Sequence, residues 1–87
     1  MVQEGVRSEV RKLRFLNGEM TQEELAERVG VSRQTIVAIE KGDYNPSVLL
    51  ALRIAKVFGV PVEQAFFLVE DDGKPAARGG TTKGGRR

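Results

Sequence analysis

Apolar side chains recur through the first seventy positions in short stripes at helical spacing, and most stripes are closed by a glycine. Val6, Val10, Leu13 and Leu16 form the first stripe and predict a helix from Val6 to Leu16, ended by Asn17-Gly18. Leu25, Ala26 and Val29 form the second. Thr21 and Glu24, three residues apart, have the spacing of a capping box at its start, and Gly30 stops it. Ser32 is placed to cap a third helix, in which Ile36 and Ile39 point inward while Arg33, Gln34 and Ala38 share another face, and Gly42 ends it. Asp43-Tyr44-Asn45-Pro46 has loop composition. A fourth helix, capped by Ser47, runs to Phe58 before Gly59. Val48, Ala51, Leu52, Ala55 and Phe58 form one of its faces, with Leu50, Ile54 and Val57 beside it, leaving Leu49, Arg53 and Lys56 for solvent. Val60-Pro61 opens a short fifth helix over Val62–Phe66. Phe67-Leu68-Val69 either continues that helix or becomes a short extended segment.

The predicted architecture is all-α: five helices, no strand in the first 66 residues, and short connections that suit a compact cluster. Residues 1–69 form the domain. Residues 70–87, rich in Gly, Lys, Arg and Thr without apolar periodicity, form a flexible, disordered tail. The stretch TQEELAERVGVSRQTIVAIEKG, residues 21–42, has the form of a helix-turn-helix. Ala26 lets the two helices cross closely, Gly30 supplies the turn, and polar residues stand where the second helix would meet a partner.

Composition excludes several kinds of chemistry. With no cysteine and no histidine, disulfide scaffolds, thiolate zinc sites and Cys- or His-based catalysis are ruled out. Glu23, Glu24 and Glu27 belong to a cap and a wet helix face, and no Gly-rich phosphate loop follows a strand, so no enzyme is expected and no cofactor or metal. The apolar runs fall far short of the about 18 residues a membrane helix needs. Residues 1–10 lack a signal-peptide core, so a cytoplasmic location is expected. The net charge of +2 points weakly to nucleic acid. Up to Val69 there are nine basic and nine acidic residues, so the whole excess lies in the tail.

The order of helix-turn-helix, loop, Pro-Ser-capped helix and short fifth helix resembles the Cro/CI-like, or XRE, family of repressors. The match spans about Val6 to Val69 and is nearest to the short stand-alone regulators of bacteria and archaea, through LRFLNGEMTQEELAERVGVSRQTIVAIEKGDYNPS. The resemblance implies a lambda-repressor-like fold whose third helix enters the major groove of double-stranded DNA. Arg33 and Gln34 would then read bases, since Arg pairs bidentately with guanine and Gln with adenine, and Val37 and Ala38 would touch thymine methyls. Gln22, Ser32, Thr35, Lys41, Tyr44 and Asn45 would contact the backbone, Tyr44 being equally suited to cover the core. Glu40 resembles a structural glutamate that pairs with an arginine of the first helix, here Arg14. Gly18-Glu19-Met20 is one residue longer than many relatives have at this joint.

Arg7, Arg11 and Lys12 flank an apolar stripe and belong to its wet face. Phe66, Phe67, Leu68 and Val69, with Leu50, exceed what so small a monomer can bury and are expected to form a homodimer interface. The expected protein is a homodimeric repressor on a palindromic operator, with no chain left for a small-molecule effector domain. The rival is a protein-interaction module of the antitoxin or coactivator-like adaptor kind. The tail either adds non-specific phosphate attraction or is a flexible end without function, the second being preferred.

Overall fold

The computed structural model describes residues 4–70. Five helices and a two-stranded antiparallel sheet follow in the order β1 (Glu4–Ser8), α1 (Val10–Leu16), α2 (Gln22–Val29), α3 (Arg33–Lys41), α4 (Val48–Phe58), α5 (Val62–Ala65) and β2 (Phe66–Glu70). Of the tail expected over residues 70–87, Glu70 instead ends β2, and residues 71–87 lie outside the described residues.

The helical cluster follows from local signals. At α2, Thr21 Oγ1 accepts from the Glu24 N–H at 2.9 Å and Glu24 Oε1 accepts from the Thr21 N–H at 3.4 Å, which completes the capping box. Ser32 and Ser47 accept from the N–H groups of Thr35 and Leu50 at the starts of α3 and α4. Gly30, Gly42 and Gly59 end α2, α3 and α4 in the left-handed region, where a Cβ would be strained. Val10, Leu25, Ile36, Ile39 and Ile54, one or two from each of the four longer helices, are the largest fully buried side chains. They belong to one core cluster, in which α2 packs against both α3 and α4.

The expectation of a purely helical fold needs correction. The first helix begins at Val10, not Val6, and residues 4–8 are extended. Val6 and Val10 stand four apart, a spacing that imitates a helical stripe, yet Val6 belongs to β1 and pairs with Leu68 while Ser8 pairs with Phe66. The helix cannot extend backward because the Glu9 N–H donates to the Ala65 carbonyl at 2.9 Å, which ties the start of α1 to the end of α5. The run FFLVE thus gains a backbone partner some sixty positions earlier in the chain. Helix α5 is accordingly a single turn, and Phe66 opens β2 rather than closing the helix.

The sheet also changes which apolar groups are exposed. Leu50, Phe66 and Val69, expected at a dimer interface, are buried within the protomer, while Phe67 is half-buried and Leu68 is 50% exposed. On α4 the solvent face carries Val48 and Leu52 as well as Leu49, all more than half exposed. No helix among the described residues is long and apolar enough to cross a membrane.

Candidate nucleic-acid interface

The side chains of α3 sort by the helical repeat. Ile36 and Ile39 face the core, and the opposite side is divided into two stripes. Arg33, Val37 and Lys41, four apart, face an open cleft of about 660 Å³ whose other walls are α1 and the start of α2. Gln34 and Ala38 form the neighbouring stripe. Arg33 and Gln34 are exposed in the first turn, whereas Val37 and Ala38 are half-buried. Ser32 Oγ and Thr35 Oγ1 lie 3.1 Å apart, and Ser32 Oγ also caps the Thr35 N–H, so both hydroxyls help build the helix start. Lys41 is exposed beyond them, with Tyr44 and Asn45 exposed in the following loop.

A polar cluster fixes this helix against the rest. Arg14 of α1 donates from Nε to Glu40 Oε2 at 2.7 Å and from Nη2 to Oε1 at 3.0 Å, a bidentate pair whose side chains are 12% and 9% exposed. Its third nitrogen donates to the Met20 carbonyl at 2.7 Å. Gln22 Nε2 donates to Glu40 Oε1 at 3.2 Å, which leaves the second hydrogen of that amide to another acceptor. One carboxylate on α3 is therefore held by α1 and by the first residue of α2. The lengthened joint feeds this cluster: Gly18 and Glu19 both have positive φ, at 76° and 55°, and turn the chain so that Met20 is buried with its carbonyl on Arg14.

A helix-turn-helix family model matches residues 10–64, from the start of α1 nearly to the end of α5. The chain belongs to the XRE-type helix-turn-helix family. As a member of it, the chain is 62% identical over 53 residues to an uncharacterized helix-turn-helix-type transcriptional regulator of Methanocaldococcus jannaschii, covering 61% of this chain and 79% of that one. It is 51% identical over 67 residues to a similarly described regulator, YgzD of Bacillus subtilis, covering 77% of this chain and 100% of that one. It is 37% identical to the cryptic phage CTXphi transcriptional repressor RstR of Vibrio cholerae, over 66% of this chain and 50% of that protein. Among solved structures, the restriction-modification controller protein C.AhdI from Aeromonas hydrophila superposes with a TM-score of 0.58 at 29% identity, over 63% of this chain and 78% of that one.

Within this XRE-type regulator the residues singled out from sequence fall into three places. Arg33, Gln34, Val37, Ala38 and Lys41 stand together on α3. Gln22, Arg14 and Glu40 meet on the wall of the cleft beside it, and Tyr44 and Asn45 follow it in the loop. Two cations assigned to a wet helix face have different surroundings. Arg7 lies on β1, its Cδ and Nε 3.1 Å from where a Cβ on Gly42 would stand, so it covers the end of α3. Arg11 lines the same cleft as Arg33 and Lys41. Nothing local in the chain marks either placement, because both depend on how β1 and α1 sit against α3.

Proposed function

We propose that this XRE-type regulator binds double-stranded DNA sequence-specifically as a homodimer and represses transcription by occupying a palindromic operator. The observation that carries the reading is the exposed first turn of α3. It offers Arg33 and Gln34 side by side on a helix fixed to α1 by the Arg14–Glu40 pair. Bidentate Arg–guanine and Gln–adenine pairs need such a fixed helix, since each depends on two hydrogen bonds being made at once. Gln22, Lys41, Tyr44 and Asn45 are assigned to flanking phosphates, and Ser32 and Thr35 to the same strand through what their mutual hydrogen bond leaves free.

One α3 spans only a few base pairs, so a second copy is required for a useful site. The exposed apolar side chains assigned to it are Val48, Leu49 and Leu52 on α4 and Leu68 on β2, while Phe15 and Leu16 of α1 are exposed as well. Leu50, Phe66 and Val69 are already used in the core and drop out of the interface. The repressor role is supported by the likeness to RstR, which is described as a repressor. A cytoplasmic location accords with this function. Selection of bound duplexes from a random pool tests the reading. Enrichment of a defined site supports it. Retention of no duplex at all, with another protein co-purifying instead, would favour an adaptor.

A further inference from the structure

The cleft beside α3 contains more positive charge than base reading uses. Four cations line it: Arg11, Arg14, Arg33 and Lys41. The charge of Arg14 is neutralised by Glu40, and among the described residues none of the other three is in an ion pair. Glu23 is the one further carboxylate on the wall. The cleft therefore keeps a net positive charge although the nine basic and nine acidic side chains of residues 1–69, its own included, balance.

Phe15 is the second unusual feature. It is 55% exposed, on the wall of a polar cleft, where an aromatic ring gains little from burial. The guanidinium carbon of Arg11 stands 5.9 Å from its ring centroid, within the range of a cation–π contact. The ring also lies 6.0 Å from the Arg14 guanidinium, whose place is set by Glu40. Phe15 thus stands beside one arginine held in a bidentate pair and one outside any ion pair among the described residues. Arg11 is held toward the cleft instead of sweeping freely through solvent.

We infer that Arg11, positioned by Phe15, contacts a DNA backbone phosphodiester at the edge of the site read by α3. This inference rests on the DNA-binding reading. Arg33 belongs both to the exposed reading turn and to the cleft wall. A duplex whose base edges reach Arg33 brings a flanking strand across the rim where Arg11 and Lys41 stand, one on each side, with the spare Gln22 hydrogen between α1 and α3. The cleft is open and partly polar, which suits an edge-on phosphate with its waters better than an enclosed small molecule.

Salt dependence of binding to a duplex of arbitrary sequence tests this, with the full chain titrated from about 50 to 200 mM salt. Arg11→Ala should reduce the magnitude of the slope of log K against log[salt] by about 1 per protomer and weaken all sequences alike. Lys12→Ala removes the same charge from the neighbouring position, but Lys12 does not line this cleft, and it should leave the slope unchanged. Phe15→Leu should weaken binding in the wild-type background and have no effect in the Arg11→Ala background, a pattern that general loss of structure would not give. An unchanged slope for Arg11→Ala, with the wild type still binding in a salt-dependent way, overturns the inference and leaves the DNA reading intact. Equal losses for Arg11→Ala and Lys12→Ala also overturn it, since the charge would then act diffusely. A wild type that binds no duplex overturns both.

Discussion

Glu40 ties α3 to α1 and to the start of α2. Its carboxylate accepts three hydrogen bonds from two elements and sits almost buried, so removing it strands the Arg14 guanidinium in a position with little water. Glu40→Ala is expected to cost about 2 kcal/mol or more, less than the about 3–5 kcal/mol of a fully buried pair because Arg14 keeps Met20 and some exposure. Chemical denaturation checks this, and a loss under about 0.5 kcal/mol, within the range of ordinary surface changes, would show the cluster to be incidental. Glu19 is the opposite case. It is exposed and holds a left-handed φ of 55° without being glycine. An L-residue there costs about 1–2 kcal/mol, partly offset in glycine by greater unfolded-state freedom. Glu19→Gly should therefore raise stability by about 0.5–1 kcal/mol. A fall in melting temperature would mean that its side chain contributes something the backbone does not reveal.

At the level of elements, the N-terminal strand decides how the domain closes. β1 supplies the backbone partner of β2, and Arg7 on it packs over Gly42 at the end of α3. Deleting residues 1–8 should lower the melting temperature by at least about 4–8 °C, the shift expected for 1 kcal/mol in a domain of this size, while the helical signal survives. An unchanged melting curve would make β1 dispensable. This element also marks the limit of what the sequence discloses. The start and stop of α2 and α3 were legible because Thr21, Glu24, Gly30, Ser32 and Gly42 act within one helical turn, so their chemistry can be read locally. The pairing of Val6 with Leu68 is long-range, and the Val6–Val10 spacing fits a helix equally well. The same distance effect hid the burial of Phe66 and Val69, which follows once the sheet has closed, the packing of Leu50 into the core, and the place of Arg11 beside Arg33. The assignment of Arg33 and Gln34 to base reading draws on family resemblance and local spacing together. Their common face is a consequence of helix geometry alone.

For the whole molecule, residues 1–69 carry no net charge, so the proposed DNA binding would rest on a few placed contacts, which a dimer would repeat by symmetry. A dimer formed through α4 would supply that repetition and cover its exposed apolar face. Leu49→Glu, with a charge in the middle of Val48, Leu49 and Leu52, should convert the protein to a monomer in sedimentation at micromolar concentration and leave its melting temperature nearly unchanged, since Leu49 is 59% exposed. A wild type already monomeric under those conditions would refute the dimer.

The central claim is that α3, through Arg33 and Gln34, reads sequence in two symmetric half-sites. Parallel selection of duplexes by the wild type and by Arg33→Ala tests it most directly. The wild type should enrich a palindrome with half-sites about 34 Å apart. Arg33→Ala should bind it about 1–3 kcal/mol more weakly and lose discrimination at one position in each half-site. An Arg33→Ala motif identical to that of the wild type, with uniform loss of affinity across sequences, would contradict it and make Arg33 a backbone contact.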